Sequence, residues 1–160
     1  MTTQQTEGDA LPPEIQQLLN GEDLTPKAAL VFELVTVGAS GWPHVALLSV
    51  GEVVALDQGT IGLALWPGST TTENLRNSGL GVLQVYHAGA AFRIRLEARP
   101  IAEAATDRLA LFATTVRGVV RDAVSYARLT SGPTIELADT PKAVGRWQAQ
   151  VAAIREAAAA

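Results

Sequence analysis

Short runs of apolar residues, separated by turns that contain glycine, mark the first two thirds of the chain. Val, Leu and Phe dominate residues 28–37, and a turn over residues 38–41 precedes a second apolar run over residues 45–50. Two β-rich runs about one turn apart predict an antiparallel hairpin. The second run continues to Leu56, and a strand of that length would need Gly51 as a bulge or kink.

Three further runs have the same character and cover residues 60–66, 80–87 and 91–101. A short helix over residues 72–77 interrupts them. Five or six strands joined mainly by hairpins predict an antiparallel sheet. This many short strands tends to close into a barrel.

The spacing of apolar residues changes in the last third of the chain. Between residues 103 and 129 they recur every three or four positions, which predicts helix, and Gly118 would divide this segment into two helices. Residues 134–137 predict one more short strand. A last helix is predicted to begin with Thr140 as its cap and Pro141 at its first position. Its apolar stripe consists of Val144, Trp147, Val151 and Ile154.

The N-terminal region is polar at first and apolar afterwards. Residues 1–10 are predicted to be disordered, and residues 11–19 form a short helix with two prolines in its first turn. No repeat and no linker divides the chain. We therefore predict one α+β domain over residues 1–160, in which residues 103–160 are mainly helical and pack on the barrel.

The amino-acid composition limits which classes of function the protein can have. The 160 residues are 48% apolar and only 18% charged, so part of the apolar surface is expected in a subunit interface. The net charge of -4 gives no basic field, so nucleic acid is not an expected partner. No run approaches the roughly 18 apolar residues of a membrane span. The N-terminus lacks the form of a signal peptide, so we expect a cytoplasmic protein.

Groups for direct catalysis are scarce. The chain has no cysteine, which excludes disulfides and thiol chemistry, and two histidines, so we predict no metal site. It has no Gly-x-Ser-x-Gly elbow and no glycine motif of the Walker or dinucleotide-binding type. Chemistry in such a chain would depend on a bound organic cofactor.

The stretch LALWPGSTTTENLRN, residues 63–77, carries the main candidate site. An apolar strand breaks at Pro67 and Gly68, passes through four consecutive hydroxyl residues and enters a helix. A helix start exposes unpaired N–H groups, and with hydroxyl groups beside them it can bind an anion such as phosphate. The alternative is that one of these threonines only caps the helix, since Ser and Thr are favoured there.

Three motifs in this order are typical of a known family: GWPHVALLS (41–49), LALWPGSTTTENLRN (63–77) and FRIRLEA (92–98). The chain resembles the FMN-binding split barrel of the pyridoxamine 5'-phosphate oxidase-like superfamily. The resemblance implies an α+β fold, an antiparallel split β-barrel of about six strands with peripheral helices. It also implies a homodimer with FMN at the interface and a small-molecule substrate.

The resemblance also assigns cofactor-binding residues. Those expected along the flavin ring are Val45, Ala46, Leu47, Ser49, Leu65 and Trp66. Those expected near the phosphate are Ser69, Thr70, Thr71, Thr72 and Asn74. Arg93 is expected to donate a hydrogen bond to a flavin carbonyl.

Several positions depart from the oxidases of the family. His44 and Ser49 replace an Arg and a Lys, and Thr70 and Thr71 replace a basic pair that holds the phosphate. These departures argue against pyridoxamine phosphate oxidase activity. Three alternatives stay open: an FMN-dependent oxidoreductase, a split-barrel dimer that has lost its redox role and acts as a binding or structural protein, and a protein that holds F420 or haem in the same cleft.

Overall fold

The computed structural model describes residues 3–103 and 109–160 of the chain. In chain order the elements are β1 (Thr3–Gly8), α1 (Pro13–Leu18), a 3₁₀ turn (Thr25–Lys27), β2 (Val31–Val37), β3 (Pro43–Ser49), β4 (Val53–Asp57), β5 (Thr60–Leu65), α2 (Thr70–Ser78), β6 (Leu80–His87), β7 (Ala90–Glu103), β8 (Ala110–Val124) and α3 (Thr140–Ala159).

The strands form one antiparallel sheet of eight strands. Seven of them lie in the order β3-β2-β6-β7-β8-β5-β4, and β1 pairs with β8. The helix α2 lies between β5 and β6 in the chain and packs on β2, β3, β6 and β7. The predicted class, α+β with an antiparallel barrel-like sheet and peripheral helices, is confirmed, although the described residues contain eight strands and not about six.

The prediction that residues 103–160 are mainly helical is wrong for their first half. Residues 110–124 form β8, and residues 104–108 lie outside the described part of the chain. Residues 110–114 are all buried, because β8 is covered on both faces there. The sequence of this stretch therefore lacks the alternation of apolar and polar residues that would indicate a strand. The predicted strand over 134–137 is also wrong, since Thr134 makes only a single bridge to Leu30.

The prediction of disorder over residues 1–10 is wrong for residues 3–8. They form β1, which pairs with β8 from Thr3 opposite Val124 to Gly8 opposite Val119. On the same edge β5 pairs with β8 only as far as Thr115. Because β8 is longer than β5, the backbone N–H and C=O groups in the second half of β8 would have no partner on this edge. β1 forms hydrogen bonds with these groups.

The predicted continuous strand through Gly51 divides into two. β3 ends at Ser49, and the chain turns so that the Glu52 N–H donates to the Ser49 carbonyl over 3.0 Å. β3 and β4 then lie at opposite ends of the strand order. A Cβ on Gly51 would lie 2.1 Å from the Cβ of Trp147, so this turn packs directly on α3.

The helix α3 closes the core against β4, β5 and β8. Its predicted apolar stripe is confirmed: Val144, Trp147, Val151 and Ile154 are all buried. The cap is Asp139, one residue before the predicted Thr140, because the Asp139 carboxylate accepts a hydrogen bond from the Lys142 N–H over 3.1 Å. Within the residues described, no helix has the length and apolar character needed to cross a membrane.

Two glycine substitutions test the packing of α3. Gly51→Ala should lower the free energy of unfolding by about 1–3 kcal/mol, because the new Cβ overlaps a Trp147 atom that cannot rotate away. Gly145→Ala is the matched control, since Gly145 is exposed within α3 and a Cβ there meets nothing. It should raise that free energy by up to about 1 kcal/mol. Urea unfolding measures both, and equal effects would contradict the packing described.

The turn at Glu52 makes stability depend on pH. Burial raises the pKa of the Glu52 carboxyl above its ordinary value of 4.5, against the opposing effects of the Ser49 N–H, 2.6 Å from Oε2, and of Arg146. The folded protein therefore favours the neutral carboxyl. The stability this group contributes is present below pH 4.5 and is lost as the pH rises through the raised pKa.

Glu52→Gln removes this titration while keeping an acceptor for the Ser49 N–H. The unfolding free energy of the wild type should fall relative to that of Glu52→Gln as the pH rises from 4.5 through the raised pKa of Glu52. Urea unfolding at several pH values measures the difference. Parallel pH profiles for the two proteins would show that the Glu52 carboxyl ionises freely in the fold.

Candidate functional site

The loop between β5 and α2 is held by its own hydroxyl groups. Ser69 Oγ accepts from the Thr72 N–H over 3.1 Å and donates to Thr72 Oγ1 over 3.0 Å. Thr72 Oγ1 in turn donates to the Trp66 carbonyl over 2.6 Å. The helix therefore begins at Thr70, two residues before the predicted start, and Ser69 is its cap. The capping alternative named Thr71 or Thr72, whereas Ser69 is the cap and Thr72 is bonded to it.

The other two hydroxyl residues differ sharply in exposure. Thr71 is only 2% exposed, and its Oγ1 is buried with no hydrogen-bond partner among the described residues. Thr70 is exposed at the first position of the helix. An external anion would therefore meet the Thr70 hydroxyl and the unpaired N–H groups of the first turn, while the side chains of Thr71 and Thr72 are directed away from solvent.

Asn74 fixes the position of α2. Its Nδ2 donates to Thr36 Oγ1 over 3.0 Å, and both side chains are buried. A Cβ on Gly38 would lie 2.3 Å from Asn74 Oδ1, so the turn after β2 also packs against this amide. Asn74 was predicted to bind the cofactor, and the structure shows it holding the helix against β2.

The first turn of α2 faces an open cavity of about 300 Å³. Thr70 and Glu73 line it from the helix, and His44 lines it from the start of β3. The turn between β2 and β3 closes one side with Trp42, which is 80% exposed. The resemblance places His44 where the family's oxidases have an arginine, but His44 was not among the predicted cofactor-binding residues. Trp42 was missed altogether, although a tryptophan in a glycine turn is a recognisable sequence signal.

The strand β3 also carries an exposed apolar strip, Val45 and Leu47, on the strand face opposite to that of His44. Val45 and Leu47 are 52% and 62% exposed, whereas Ala46 between them packs against the core. Ser49 ends the strand and its N–H is bonded to the Glu52 carboxylate. Of the residues on β3 that were predicted to lie along a flavin ring, Val45 and Leu47 therefore expose their side chains to solvent.

The two residues predicted to bind the cofactor at the end of β5 also differ in exposure. Leu65 is buried in the core, whereas Trp66 follows the strand and is 58% exposed. Residues 61–65 of β5 are all buried, and Trp66 is exposed because it lies just beyond the end of this strand. Trp66 remains accessible beside the loop that leads to α2.

Arg93 lies elsewhere on the sheet. Its Nη2 is 2.8 Å from Asp122 Oδ2, and its Nε donates to Gln84 Oε1 over 3.4 Å. It lines a cavity that shares no residue with the one at α2. Within one chain, Arg93 and the hydroxyl loop are therefore not brought together.

Arg93 begins a chain of polar side chains that crosses the sheet. Gln84 donates through its amide to the Tyr86 hydroxyl, which donates to Glu33 Oε1 over 2.9 Å. Burial, followed by the bond to Glu33, raises the pKa of the Tyr86 hydroxyl above 10.0. Glu33 stands opposite Leu47 in the β2–β3 pairing, so this chain ends beside the apolar strip.

The region thus has a helix start with unpaired N–H groups and, on the neighbouring strand β3, an exposed apolar strip. Such an arrangement suits a molecule with a phosphate at one end and a flat apolar body at the other. In the part of the chain that the structure describes, no three His, Asp or Glu side chains are grouped so that they could hold a metal ion.

Comparison with known proteins identifies the fold and the relatives. No protein-family model matches the chain. A candidate pyridoxamine 5'-phosphate oxidase from Lactobacillus delbrueckii has a similar structure, with a TM-score of 0.54 and 17% identity over 70% of this chain and 94% of that one. HutZ, a haem storage protein from Vibrio cholerae, has a TM-score of 0.50 and 13% identity over 69% of this chain and 94% of that one.

A closer similarity is found in sequence. The uncharacterized protein YclD of Bacillus subtilis (strain 168) is 36% identical over 137 residues, which is 82% of this chain and 87% of YclD. The chain therefore belongs to the family of YclD, and it has the split-barrel fold of the pyridoxamine 5'-phosphate oxidase-like superfamily.

Proposed function

We propose that the chain binds FMN, with the phosphate at the start of α2 and the flavin ring along β3. The observation that carries this proposal is the cavity at the start of α2, which Thr70 and His44 line, together with the exposed Val45 and Leu47 of the same strand β3. One end of the site offers hydrogen-bond donors and the other offers apolar surface. FMN has the matching phosphate and ring.

The residues at the helix start fit a phosphate monoester. The positive end of the α2 dipole, the N–H groups of its first turn and the Thr70 hydroxyl all favour an anion. The His44 imidazole can donate a further hydrogen bond. The negatively charged side chain of Glu73 lines the same cavity and would repel a phosphate. Neither a lysine nor an arginine lines this cavity. We therefore expect affinity in the micromolar range, below that of a site with paired cations.

The exposed strip favours a homodimer as part of the same proposal. Val37, Val45, Leu47 and Leu80 are all large, apolar and exposed, and they lie on the adjacent strands β3, β2 and β6. A second copy would bury this face together with the flavin ring. Sedimentation of the FMN-loaded protein should give the mass of two chains.

We propose an oxidoreductase activity on a small molecule for the loaded protein. A bound flavin supplies hydride and electron transfer, so the protein needs no acid or base of its own for that step. The role of the chain is to hold the phosphate, orient the ring on β3 and exclude water. FMN-loaded protein that exchanges no electrons with NADH or NADPH would favour a binding role without catalysis.

Haem is a second candidate because His44 offers an imidazole at the mouth of the cavity, and the structurally similar HutZ stores haem. F420 carries additional acidic groups, and the scarcity of cations in the cavity disfavours it. The absorption spectrum of the purified protein separates flavin from haem. A haem spectrum, with no uptake of added FMN, would overturn the flavin proposal.

Two adjacent threonines test the phosphate site. Thr70→Val should weaken FMN binding about tenfold, since a hydrogen bond to a charged group contributes about 1.5–3 kcal/mol. Thr71→Val is the matched control, because the Thr71 hydroxyl is buried and has no partner in the described residues. It should leave FMN affinity unchanged and raise the free energy of unfolding by about 1 kcal/mol.

Quenching of flavin fluorescence gives both affinities, and urea unfolding gives both stabilities. Equal affinities in the wild type and in Thr70→Val would place the phosphate away from α2. Weaker binding in Thr71→Val alone would mean that the first turn rearranges to expose the inner hydroxyl.

A further inference from the structure

A second cavity, of about 280 Å³, lies beside the tight turn that joins β6 to β7. The turn residues Ala88 and Gly89 have φ values of 50° and 83°, which is typical of a two-residue hairpin turn. The segment after β8 folds over this turn, and the Leu129 N–H donates to the Gly89 carbonyl over 3.1 Å. The open cavity thus lies between two chain segments that are hydrogen-bonded to each other.

The charges in this cavity do not balance. Arg93 is paired with Asp122, and it uses only part of its five N–H donors in the bonds to Asp122 and Gln84. Arg128 also lines the cavity and makes no hydrogen bond or ion pair with any described residue. Two guanidinium groups and one carboxylate leave one positive charge in excess.

The position of Arg128 depends on Gly89. A Cβ on Gly89 would lie 3.2 Å from Arg128 Nε and 3.3 Å from Arg128 Cβ, so the arginine side chain lies directly across the turn. Its contact with the turn limits where the guanidinium can move. Arg128 is exposed, and a guanidinium in this position can recognise a carboxylate or a phosphate.

The remaining walls are apolar and small. Ala91, Ala123 and Ala127 line the cavity, and Val124 and Leu129 complete it. Small side chains leave room for an apolar body the size of one aromatic ring. The single excess positive charge matches a carboxylate better than a phosphate dianion.

We propose that this cavity binds a small organic carboxylate. The carboxylate pairs with the Arg128 guanidinium and with the remaining donors of Arg93, and the apolar body packs on Ala91, Ala123 and Ala127. This site shares no lining residue with the cavity at α2, and the proposal goes beyond FMN binding and does not require it.

Calorimetric titration of the full-length protein with benzoate tests the proposal. Benzoate should bind, and Arg128→Gln should weaken it about tenfold or more because a charge-assisted hydrogen bond is lost. Arg128→Lys keeps the charge without the planar fork, so its affinity should fall in between. Arg99→Gln is the control, since Arg99 is exposed on the same strand β7 and outside the cavity, and it should bind benzoate like the wild type.

Two analogues of benzoate test which chemical class of ligand the cavity binds. Benzamide has the same shape without the charge and should not bind, whereas phenyl phosphate should bind more weakly than benzoate. Equal binding of benzamide and benzoate would overturn the proposal, and so would unchanged benzoate affinity in Arg128→Gln. Tighter binding of phenyl phosphate would overturn the choice of a carboxylate, and no benzoate binding at millimolar concentration would overturn the site.

Discussion

The buried hydrogen bond between Asn74 and Thr36 is the constraint on which the candidate site depends. It ties α2 to β2, and β2 is the neighbour of β3 in the sheet. The start of α2 and the start of β3 therefore share one cavity, although they are far apart in sequence. Removing either partner would leave a buried polar group unsatisfied, at a cost of about 1–3 kcal/mol. Gly38 is part of the same constraint, because a side chain there would displace the Asn74 amide.

Hairpins could be predicted from the sequence because their signals are local. β6 and β7 are joined by a turn whose glycine fits a positive φ, and both strands lie close to their predicted bounds. β8 could not be predicted, since two of its three pairing partners, β5 and β1, are distant in the chain and its buried half shows no alternation. The same long-range pairing orders Thr3–Gly8, where composition alone indicates disorder.

The candidate site was predictable as a segment but not residue by residue. The hydroxyl run indicated a helix start beside a strand, and the structure confirms both. Which hydroxyl faces solvent depends on how the helix is rotated, and that is set by the bond to Thr36, a distant residue. Ser69 and Thr72 consequently cap the helix, Thr71 is buried and Thr70 is exposed. The resemblance to a split barrel supplied the fold, whereas the pairing of Arg93 with Asp122 is visible only in the structure.

The central claim is that the start of α2 holds the phosphate of a flavin. Calorimetric titration of the purified protein with FMN and with riboflavin tests it most directly, because riboflavin has the same ring and no phosphate. The account predicts that FMN binds at least about tenfold more tightly than riboflavin. Equal affinities would show that the ring alone is recognised, and the absence of binding by either ligand would contradict the assignment of a flavin site.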